Sequence, residues 1–180
     1  MESETRPFWA SKWYVLYIII MVVIVGFWAY AKFGLHACFV VGHSMEPQLH
    51  SGDMLECSVD FKPSDIKRGD IVVLETSRGQ LVKRVIALPG ESVIAKGGQI
   101  YIYDGSDYVL SGYEFERMQN IGVLDRHDEI NPLTLSSTQF FCLGDNRNHS
   151  VDCRDIGPVE VDQVERIVIG KALANLDLLF

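Results

Sequence analysis

Two short segments carry residue types that could perform nucleophilic catalysis. Lys83 lies in the apolar run 80–88, QLVKRVIAL, where the two-residue period of a strand places Leu81 and Val85 on the same face as the lysine. Apolar neighbours desolvate the ammonium and favour the neutral amine, which can then act as a general base near neutral pH. Ser44, in the segment 42–47 (GHSMEP), is a candidate nucleophile. The two segments together indicate an enzyme.

Neither segment is decisive alone, because each has an ordinary structural explanation. A single lysine in a strand is commonly an edge residue whose ammonium reaches water. A serine close to glycine and proline is common in turns. A third segment changes the balance: residues 144–158 (GDNRNHSVDCRDIGP) are dense in small and hydrogen-bonding residues and follow the apolar run 140–143. Polar loops at strand ends are frequent positions of functional sites.

Four segments, taken in order, resemble the sequence boxes of type I signal peptidases, which are membrane-bound serine proteases with a Ser–Lys dyad. They are residues 44–49 (SMEPQL), 69–73 (GDIVV), 83–91 (KRVIALPGE) and 144–157. Each box is a weak signal by itself, whereas the full set in the family's order is specific. The resemblance implies a membrane-anchored serine endopeptidase that removes signal peptides from exported precursor proteins. It implies no metal and no cofactor.

The resemblance also implies roles for individual residues. Ser44 corresponds to the nucleophile, Lys83 to the general base, and Ser150 to a serine that hydrogen-bonds to the lysine and orients it. The family cleaves after small side chains, typically alanine, at the first and third positions before the bond. Two supporting ion pairs are implied: Arg84 with Asp145, and Asp152 with Arg154. The candidate residues for the substrate pocket, chosen for their nearness to the dyad, are Val40, Val41, Met45, Leu81 and Val82.

Two positions depart from the family pattern. Gly42 stands where some members carry a serine that contributes to the oxyanion hole, so we expect the Ser44 backbone N–H, with solvent, to carry more of that role. Cys153 replaces the usual serine of the last box with a group of similar size. Lys83, where other branches use histidine, places the chain with the bacterial members. His43 is an alternative base, but neighbours on an extended segment point to opposite faces.

An uncharged apolar segment precedes these residues. Residues 13–30 would extend about 27 Å as a helix, close to the roughly 30 Å hydrocarbon core of a bilayer. Aromatic residues lie near both ends, as at membrane interfaces: Trp13, Tyr14, Tyr17, Phe27, Trp28 and Tyr30. We predict a cytoplasmic N-terminus (1–12), one transmembrane helix (13–31) and a catalytic domain (32–180) on the outer, periplasmic or extracellular, side of the bacterial cytoplasmic membrane. The expected partners are precursor proteins and the lipid bilayer.

Two features of this region leave alternatives open. Arg6 and Lys12 precede the apolar segment and Lys32 follows it, which is a narrow majority for the predicted orientation. Residues 29–31 (AYA) have the small-x-small pattern of a cleavage site, so removal of the segment as a signal peptide is an alternative. The net charge of −8, without a basic cluster, argues against nucleic acid as a partner.

The remainder of the chain has the pattern of a mostly β protein, with short apolar segments separated by glycine, proline and aspartate turns. We predict coiled antiparallel sheets in a barrel-like arrangement, as the resemblance also implies, with an inserted subdomain at about residues 97–137. Gly97 and Gly98 mark a hairpin. The predicted strands are 37–41, 54–59, 70–75, 81–87, 92–95, 99–103, 138–143 and 166–170.

Several questions stay open at this stage. The four cysteines, Cys38, Cys57, Cys142 and Cys153, lack the CxxC spacing of zinc sites and allow three pairings if two disulfides form. Free buried thiols are the alternative. A conjugative-transfer peptidase that matures a dedicated pilin-like protein would have the same fold. A self-cleaving repressor would need a DNA-binding headpiece where the apolar segment stands, and an inactive membrane-anchored β module would normally have lost a catalytic residue.

Overall fold

The chain divides into two compact units, Met1–Ala37 and Cys38–Phe180. The computed structural model describes residues 12–30, 37–96, 99–111 and 130–171. In the first unit, helix α1 (Lys12–Ala29) covers most of the predicted transmembrane segment, and its large apolar side chains are mostly exposed. Across the described residues, no helix combines the length and the apolar character needed to cross a membrane.

The second unit is mostly β-structure. In chain order its strands are β1 (Ala37–Phe39), β2 (Met54–Ser58), β3 (Ile71–Thr76), β4 (Gly79–Ala87), β5 (Ser92–Lys96), β6 (Gln99–Asp104), β7 (Asp107–Ser111), β8 (Ile130–Thr134), β9 (Gln139–Leu143), β10 (Val159–Glu160) and β11 (Val164–Lys171). Helix α2 (Cys153–Ile156) lies between β9 and β10. The described part of the unit also contains 3₁₀ turns at Pro63–Asp65 and Val161–Gln163.

The strands form two open sheets. The larger sheet has the order β1-β2-β11-β3-β4-β9-β10, and the smaller one has the order β7-β6-β5-β8. The mostly β, antiparallel class predicted from the sequence is confirmed by the antiparallel pairings of β3 with β4, β4 with β9 and β5 with β6. The barrel-like arrangement is wrong, since neither sheet closes within the described residues. Closure depends on strand number, tilt and stagger, which local alternation of residues does not encode.

The smaller sheet lies where the sequence predicted an inserted subdomain. It begins with β5 at Ser92, ahead of the predicted start, and ends with β8 at Thr134. Strands β5 and β6 pair with Lys96 opposite Gln99, as a hairpin requires, although its two glycines lie outside the described residues. The insertion's boundaries stay a prediction.

Strand β4 is central to the larger sheet. Its register places Val72 of β3 opposite Lys83, and it places both Ile71 of β3 and Leu143 of β9 opposite Arg84. Strands β3 and β9 flank β4 on its two edges, and Lys83 and Arg84 are both buried in spite of their charges. Buried charges need partners, so the loops around β4 must place hydrogen-bond acceptors or carboxylates beside Lys83 and Arg84.

Two apolar clusters flank these strands. The first core cluster joins the two sheets and includes Val72, Val85, Val93, Ile102 and Phe141. The second core cluster packs the segment that contains Ser44 against β2 and β3. Its buried members are Val40, Met45, Leu49, Leu55, Cys57 and Val73. The segment that contains Ser44 thus packs on a core of its own.

Candidate active site

The Lys83 side chain lies within hydrogen-bonding distance of Ser44. Lys83 Nζ is 2.8 Å from Ser44 Oγ and 2.9 Å from the carbonyl oxygen of Val82. Strand β4 holds the lysine between β3 and β9, and only 2% of the residue is exposed. The fold brings these two residues together although 39 positions separate them in the chain.

The burial of Lys83 changes its protonation. Burial lowers the pKa of the Lys83 ammonium, while the carboxylates of Asp152 and Asp145 act in the opposite direction and limit the shift. The neutral amine is therefore reached at a lower pH than in an exposed lysine. Between the lowered pKa and the ordinary value of 10.5, the unfolded chain binds a proton at Lys83 that the folded chain does not. The stability contributed by this residue consequently rises with pH across that window.

Ser44 belongs to a turn that is held from two sides. On one side Met45 and Leu49 are buried in the second core cluster, and the Leu49 N–H donates to the Met45 carbonyl oxygen at 2.9 Å. On the other side the backbone N–H of Asn146 donates to the Ser44 carbonyl oxygen at 2.9 Å. The Asn146 side-chain amide donates to the His43 carbonyl oxygen at 3.0 Å. These contacts fix the position from which the Ser44 hydroxyl reaches Lys83.

Ser150 lies beside this turn but does not hydrogen-bond to Lys83. Its Oγ is buried and has no hydrogen-bond partner among the described residues, and Lys83 Nζ uses two other acceptors. The hydrogen bond implied by the family resemblance is therefore not formed. Ser150 Oγ lies beside Gly144, where a Cβ, if present, would be 2.1 Å from that oxygen.

Arg84, next to Lys83 on β4, forms a buried ion pair with Asp145. Arg84 Nε is 2.8 Å from Asp145 Oδ1, and Nη2 is 2.6 Å from Oδ2. A third donor, Nη1, reaches the Gly69 carbonyl oxygen at 2.7 Å. Bidentate charge-assisted bonds of this kind fix orientation as well as distance. The pair therefore attaches the start of the loop 144–152 to the strand that carries Lys83.

Asp152 and Arg154 form the second implied pair at the other end of this loop. Arg154 Nε is 2.8 Å from Asp152 Oδ1, and Nη2 is 2.9 Å from Oδ2. Asp152 also caps α2 and accepts the Gly144 N–H at 3.0 Å. Burial alone raises the pKa of Asp152, but the Arg154 guanidinium and the Gly144 N–H outweigh it and hold that pKa below its usual range. A negative charge is thereby retained close to Lys83.

Known proteins similar to this chain identify its family. The family model described as signal peptidase, peptidase S26, matches residues 11–175. The chain belongs to this family. Signal peptidase I of Bacillus amyloliquefaciens is 35% identical over 151 residues, which cover 82% of this chain and 76% of the relative. Signal peptidase I S of Bacillus subtilis (strain 168) is 34% identical over 124 residues, or 67% of each chain. Membership makes the chain a serine endopeptidase.

More distant relatives extend the match along the chain. Signal peptidase IB of Staphylococcus aureus (strain COL) is 26% identical over 175 residues, which cover 87% of this chain and 83% of the relative. A crystal structure of a signal peptidase I from Enterococcus faecalis V583 is 26% identical to this chain. That comparison covers 63% of this chain and 98% of the other, with a TM-score of 0.41.

Gly42 has a conformation that favours glycine over the serine found in some signal peptidases. Its φ is +96°, in the region that residues with a Cβ rarely adopt, although the space around it is open. Its N–H donates to Ser51 Oγ at 3.3 Å. The backbone conformation at residue 42 therefore disfavours serine, or any other residue with a Cβ, at this position.

The candidate pocket residues do not form one surface. Val40 and Met45 are buried in the second core cluster, and Val82 packs against that cluster. Leu81 packs against the first core cluster instead. Val41, next to Val40 in the chain, is 90% exposed. Three of the five candidates therefore share the apolar layer under the Ser44 turn.

The His43 side chain contacts Glu46, and Ser44 contacts Lys83, so the geometry does not favour His43 as the base. Its ring is largely exposed, and Nδ1 lies 2.8 Å from Glu46 Oε1. The neighbouring Ser44 uses Lys83 instead. Within the described ranges, no group of three or more His, Cys, Asp or Glu side chains is placed to hold a metal ion.

Three residues of the loop after β9 make positioning contacts that the sequence analysis did not predict: Gly144, Asn146 and Arg147. Asn146 bonds to the nucleophile turn, as described above. Arg147 Nε donates to the Gly144 carbonyl oxygen at 2.9 Å, and Arg154 Nη2 donates to the Arg147 carbonyl oxygen at 2.7 Å. A signal was present, because Gly144, Asn146 and Arg147 stand in one run, GDNR, with Asp145. What the run could not reveal was which backbone groups its side chains reach.

The close approach at Gly144 gives a first prediction. A Cβ at this position would lie 2.1 Å from Ser150 Oγ and 2.5 Å from the Ser44 carbonyl oxygen. Gly144→Ala should therefore displace the Ser44 turn and reduce kcat/KM by roughly 100-fold, the scale of a misplacement of about 1 Å. The matched control is Gly170→Ala, where a Cβ meets nothing within 4 Å. Peptidase assays on both variants test this, and near-wild-type activity of Gly144→Ala would contradict the packing described here.

The lowered pKa of Lys83 gives a second prediction. If the neutral amine is the reactive form, kcat/KM should rise with pH along a limb that lies below the ordinary lysine value of 10.5. His43→Ala is the control, and it should leave the position of that limb unchanged. The measurement is a pH profile of kcat/KM under conditions where chemistry limits the rate. A flat profile across the limb, or a limb that moves with His43→Ala, would exclude a lysine base.

Proposed function

We propose that the chain is a membrane-anchored signal peptidase that cleaves precursor proteins through an acyl-enzyme formed by Ser44 and assisted by Lys83. The single observation that carries this proposal is the 2.8 Å contact between Lys83 Nζ and Ser44 Oγ in a setting where the lysine is buried and its pKa lowered. Signal peptide removal is the activity named for the relatives, and family membership supports it here.

The mechanism follows from the two functional groups. The neutral Lys83 amine takes the proton of the Ser44 hydroxyl, and Oγ attacks the carbonyl carbon of the bond to be cleaved. The protonated lysine then returns its proton to the departing amine, which leaves an ester between Ser44 and the signal peptide. Lys83 next takes a proton from water, the hydroxide attacks the ester, and Oγ regains its proton. The Ser44 backbone N–H, with solvent, stabilises the oxyanion in both steps.

The surrounding residues act as positioning residues in this scheme. The pair of Arg84 and Asp145 holds the loop against β4, and the pair of Asp152 and Arg154 holds its other end. Ser150 lies beside Gly144, and we propose that it helps to position the lysine, as the family resemblance implies. The two carboxylates prevent the lysine pKa from falling further, which keeps the amine basic enough to remove a hydroxyl proton.

The substrate pocket is proposed to use the apolar layer under the Ser44 turn. Met45 and Val40 are buried in this layer, Val82 packs against it, and the exposed Val41 follows Val40 in the chain. Leu81 packs against the first core cluster instead. The family resemblance implies that such a pocket accepts small substrate residues, typically alanine.

The membrane anchor is proposed to be the segment 13–31, with the N-terminus in the cytoplasm and the catalytic unit outside. The support is the uncharged run of apolar residues, the aromatic residues near its ends, and the exposure of its apolar side chains. Tyr30 and Ser44 are close in sequence, and a fully extended connection would span no more than roughly 45 Å. The anchor would therefore hold the nucleophile near the membrane surface, where precursors emerge, and raise their effective concentration.

The dyad is tested by substitution. Ser44→Ala and Lys83→Ala should each abolish cleavage of a secretory precursor, since one removes the nucleophile and the other the base. Lys83→Arg should also be inactive, because a guanidinium does not release its proton at working pH. Cleavage is followed by gel and by mass spectrometry on the purified full chain in detergent, with circular dichroism to verify folding.

His43→Ala is the matched control for the dyad and should retain cleavage. Activity in a folded Lys83→Ala variant would refute the assignment of the base, and loss of cleavage only in His43→Ala would transfer that role to histidine. A panel that includes several secretory precursors and a pilin-like precursor distinguishes a general signal peptidase from a dedicated one.

The anchor is tested by topology. In right-side-out membrane vesicles, added protease should digest a tag at the C-terminus of the full chain, while in inverted vesicles the tag should be protected. The intact mass of the membrane-bound protein should include residues 1–31. A tag with the opposite accessibility would overturn the orientation, and a mature chain that begins at Lys32 would identify the segment as a removable signal peptide.

A further inference from the structure

Two cysteines lie next to each other on neighbouring strands below the active-site turn. Cys38 is on β1 and Cys57 is on β2, and their Sγ atoms are 3.0 Å apart, with the Cys57 thiol donating to Cys38. Both thiols are free in this structure. Arg166, on the adjacent strand β11, donates from Nη1 to Cys38 Sγ at 3.2 Å. Three neighbouring strands thus bring two thiols and a guanidinium together.

We propose that Cys38 and Cys57 form a redox-active dithiol, in which Cys38 attacks an external disulfide and Cys57 resolves the mixed disulfide. The product is an intramolecular disulfide between β1 and β2. The external oxidant is a low-molecular-weight or protein disulfide. This proposal concerns chemistry outside the Ser44–Lys83 dyad, and only its operation in cells depends on the extracytoplasmic location proposed above.

The two cysteines differ in exposure and in charge environment, as expected if Cys38 attacks and Cys57 resolves. Cys38 is partly exposed, whereas Cys57 is 2% exposed, so only the former is open to an external disulfide. The Arg166 guanidinium lies beside the sulfur that must carry negative charge as it attacks. Burial raises the pKa of Cys57 to about 12, and its hydrogen bond to Cys38 adds to the effect. Cys57 therefore remains a thiol until Cys38 has reacted.

The steps balance as an ordinary thiol–disulfide exchange. The Cys38 thiol loses its proton to solvent, its thiolate attacks one sulfur of the oxidant R–S–S–R, a bond forms between Cys38 Sγ and that sulfur, and the first R–S⁻ leaves and takes up a proton. Cys57 then loses its proton to solvent, its sulfur attacks Cys38 Sγ, and the second R–S⁻ leaves and takes up a proton. Two protein thiols are oxidised by two electrons in total, and one disulfide is reduced to two thiols.

The cross-link would act on the catalytic turn, since Ser44 lies in the segment between the two cysteines. Cys57 belongs to the second core cluster together with Met45 and Leu49, which seat that turn. Closing the segment at both ends restricts the unfolded chain and opposes local opening of the turn. We expect oxidised enzyme to lose activity more slowly on heating than reduced enzyme.

The other two cysteines supply an internal control. Cys142 and Cys153 are both buried, and the Cys142 N–H donates to Cys153 Sγ at 3.1 Å. Neither has the partial exposure of Cys38. Cys153→Ser, which restores the residue usual in the family, should therefore leave the behaviour of Cys38 and Cys57 unchanged.

The test uses the purified full chain in detergent, equilibrated with mixtures of reduced and oxidised glutathione. Samples are quenched with acid, the remaining thiols are alkylated, and peptides are mapped by mass spectrometry. Wild type and Cys153→Ser should give a cross-linked peptide that joins Cys38 to Cys57. Cys57→Ser should instead accumulate a glutathione adduct on Cys38, and Arg166→Gln should slow oxidation severalfold.

Several results would overturn the proposal. One is that Cys38 and Cys57 both stay open to alkylation in excess oxidised glutathione; another is that Cys38→Ser collects an adduct on Cys57 as fast as Cys57→Ser does on Cys38. Oxidation should lengthen the half-life of peptidase activity at elevated temperature in the wild type. It should not do so in Cys38→Ser or Cys57→Ser. An equal change in all three proteins would refute the role of the cross-link. The peptide map does not depend on catalysis, so failure of the proposed peptidase function would be seen separately.

Discussion

Burying an amine in a protein costs far more when the amine carries a proton than when it is neutral, and Lys83 is almost completely buried. This free-energy difference would suit the lysine to the proposed role of base, because it favours the neutral form that can accept the proton of Ser44. The same difference must be limited, since an amine with too low a pKa would be too weak to deprotonate a hydroxyl. Asp152 and Asp145 provide the limit, as their charges raise the lysine pKa against the effect of burial.

Those two carboxylates impose the next requirement, because each is itself buried. A buried carboxylate without partners would take up a proton and lose its influence on the lysine. Arg84 holds Asp145 and Arg154 holds Asp152, in both cases through two parallel hydrogen bonds. The arginines therefore do more than hold the loop: they keep two negative charges in place beside one ionisable amine. This explains why one loop and one strand carry so many charged residues at the centre of a small β-domain.

The sequence predicts the parts of this system that depend on local pattern, and the fold decides the rest. The strand that carries Lys83 was recognisable from its alternation, and both ion pairs followed from the order of the family boxes. The barrel-like closure was wrong, since β1 and β10 are short edges whose pairing depends on the whole sheet. The expected bond from Ser150 to Lys83 is not formed, and the close contact of the Ser150 hydroxyl with Gly144 is one that no local pattern reveals.

The position of the nucleophile depends on two structures that are remote from each other in sequence. Met45 and Leu49 bind the Ser44 turn to the core from below, and Asn146 binds its backbone from the loop after β9. A hydrogen bond between Ser44 and Lys83 could not by itself order a turn against the loss of chain entropy, because one such bond contributes only about 1 kcal/mol. The apolar contacts and backbone bonds must therefore supply most of the free energy that orders the turn. The contact between Ser44 and Lys83 is a consequence of this packing, so the geometry of the proposed dyad is already present without substrate.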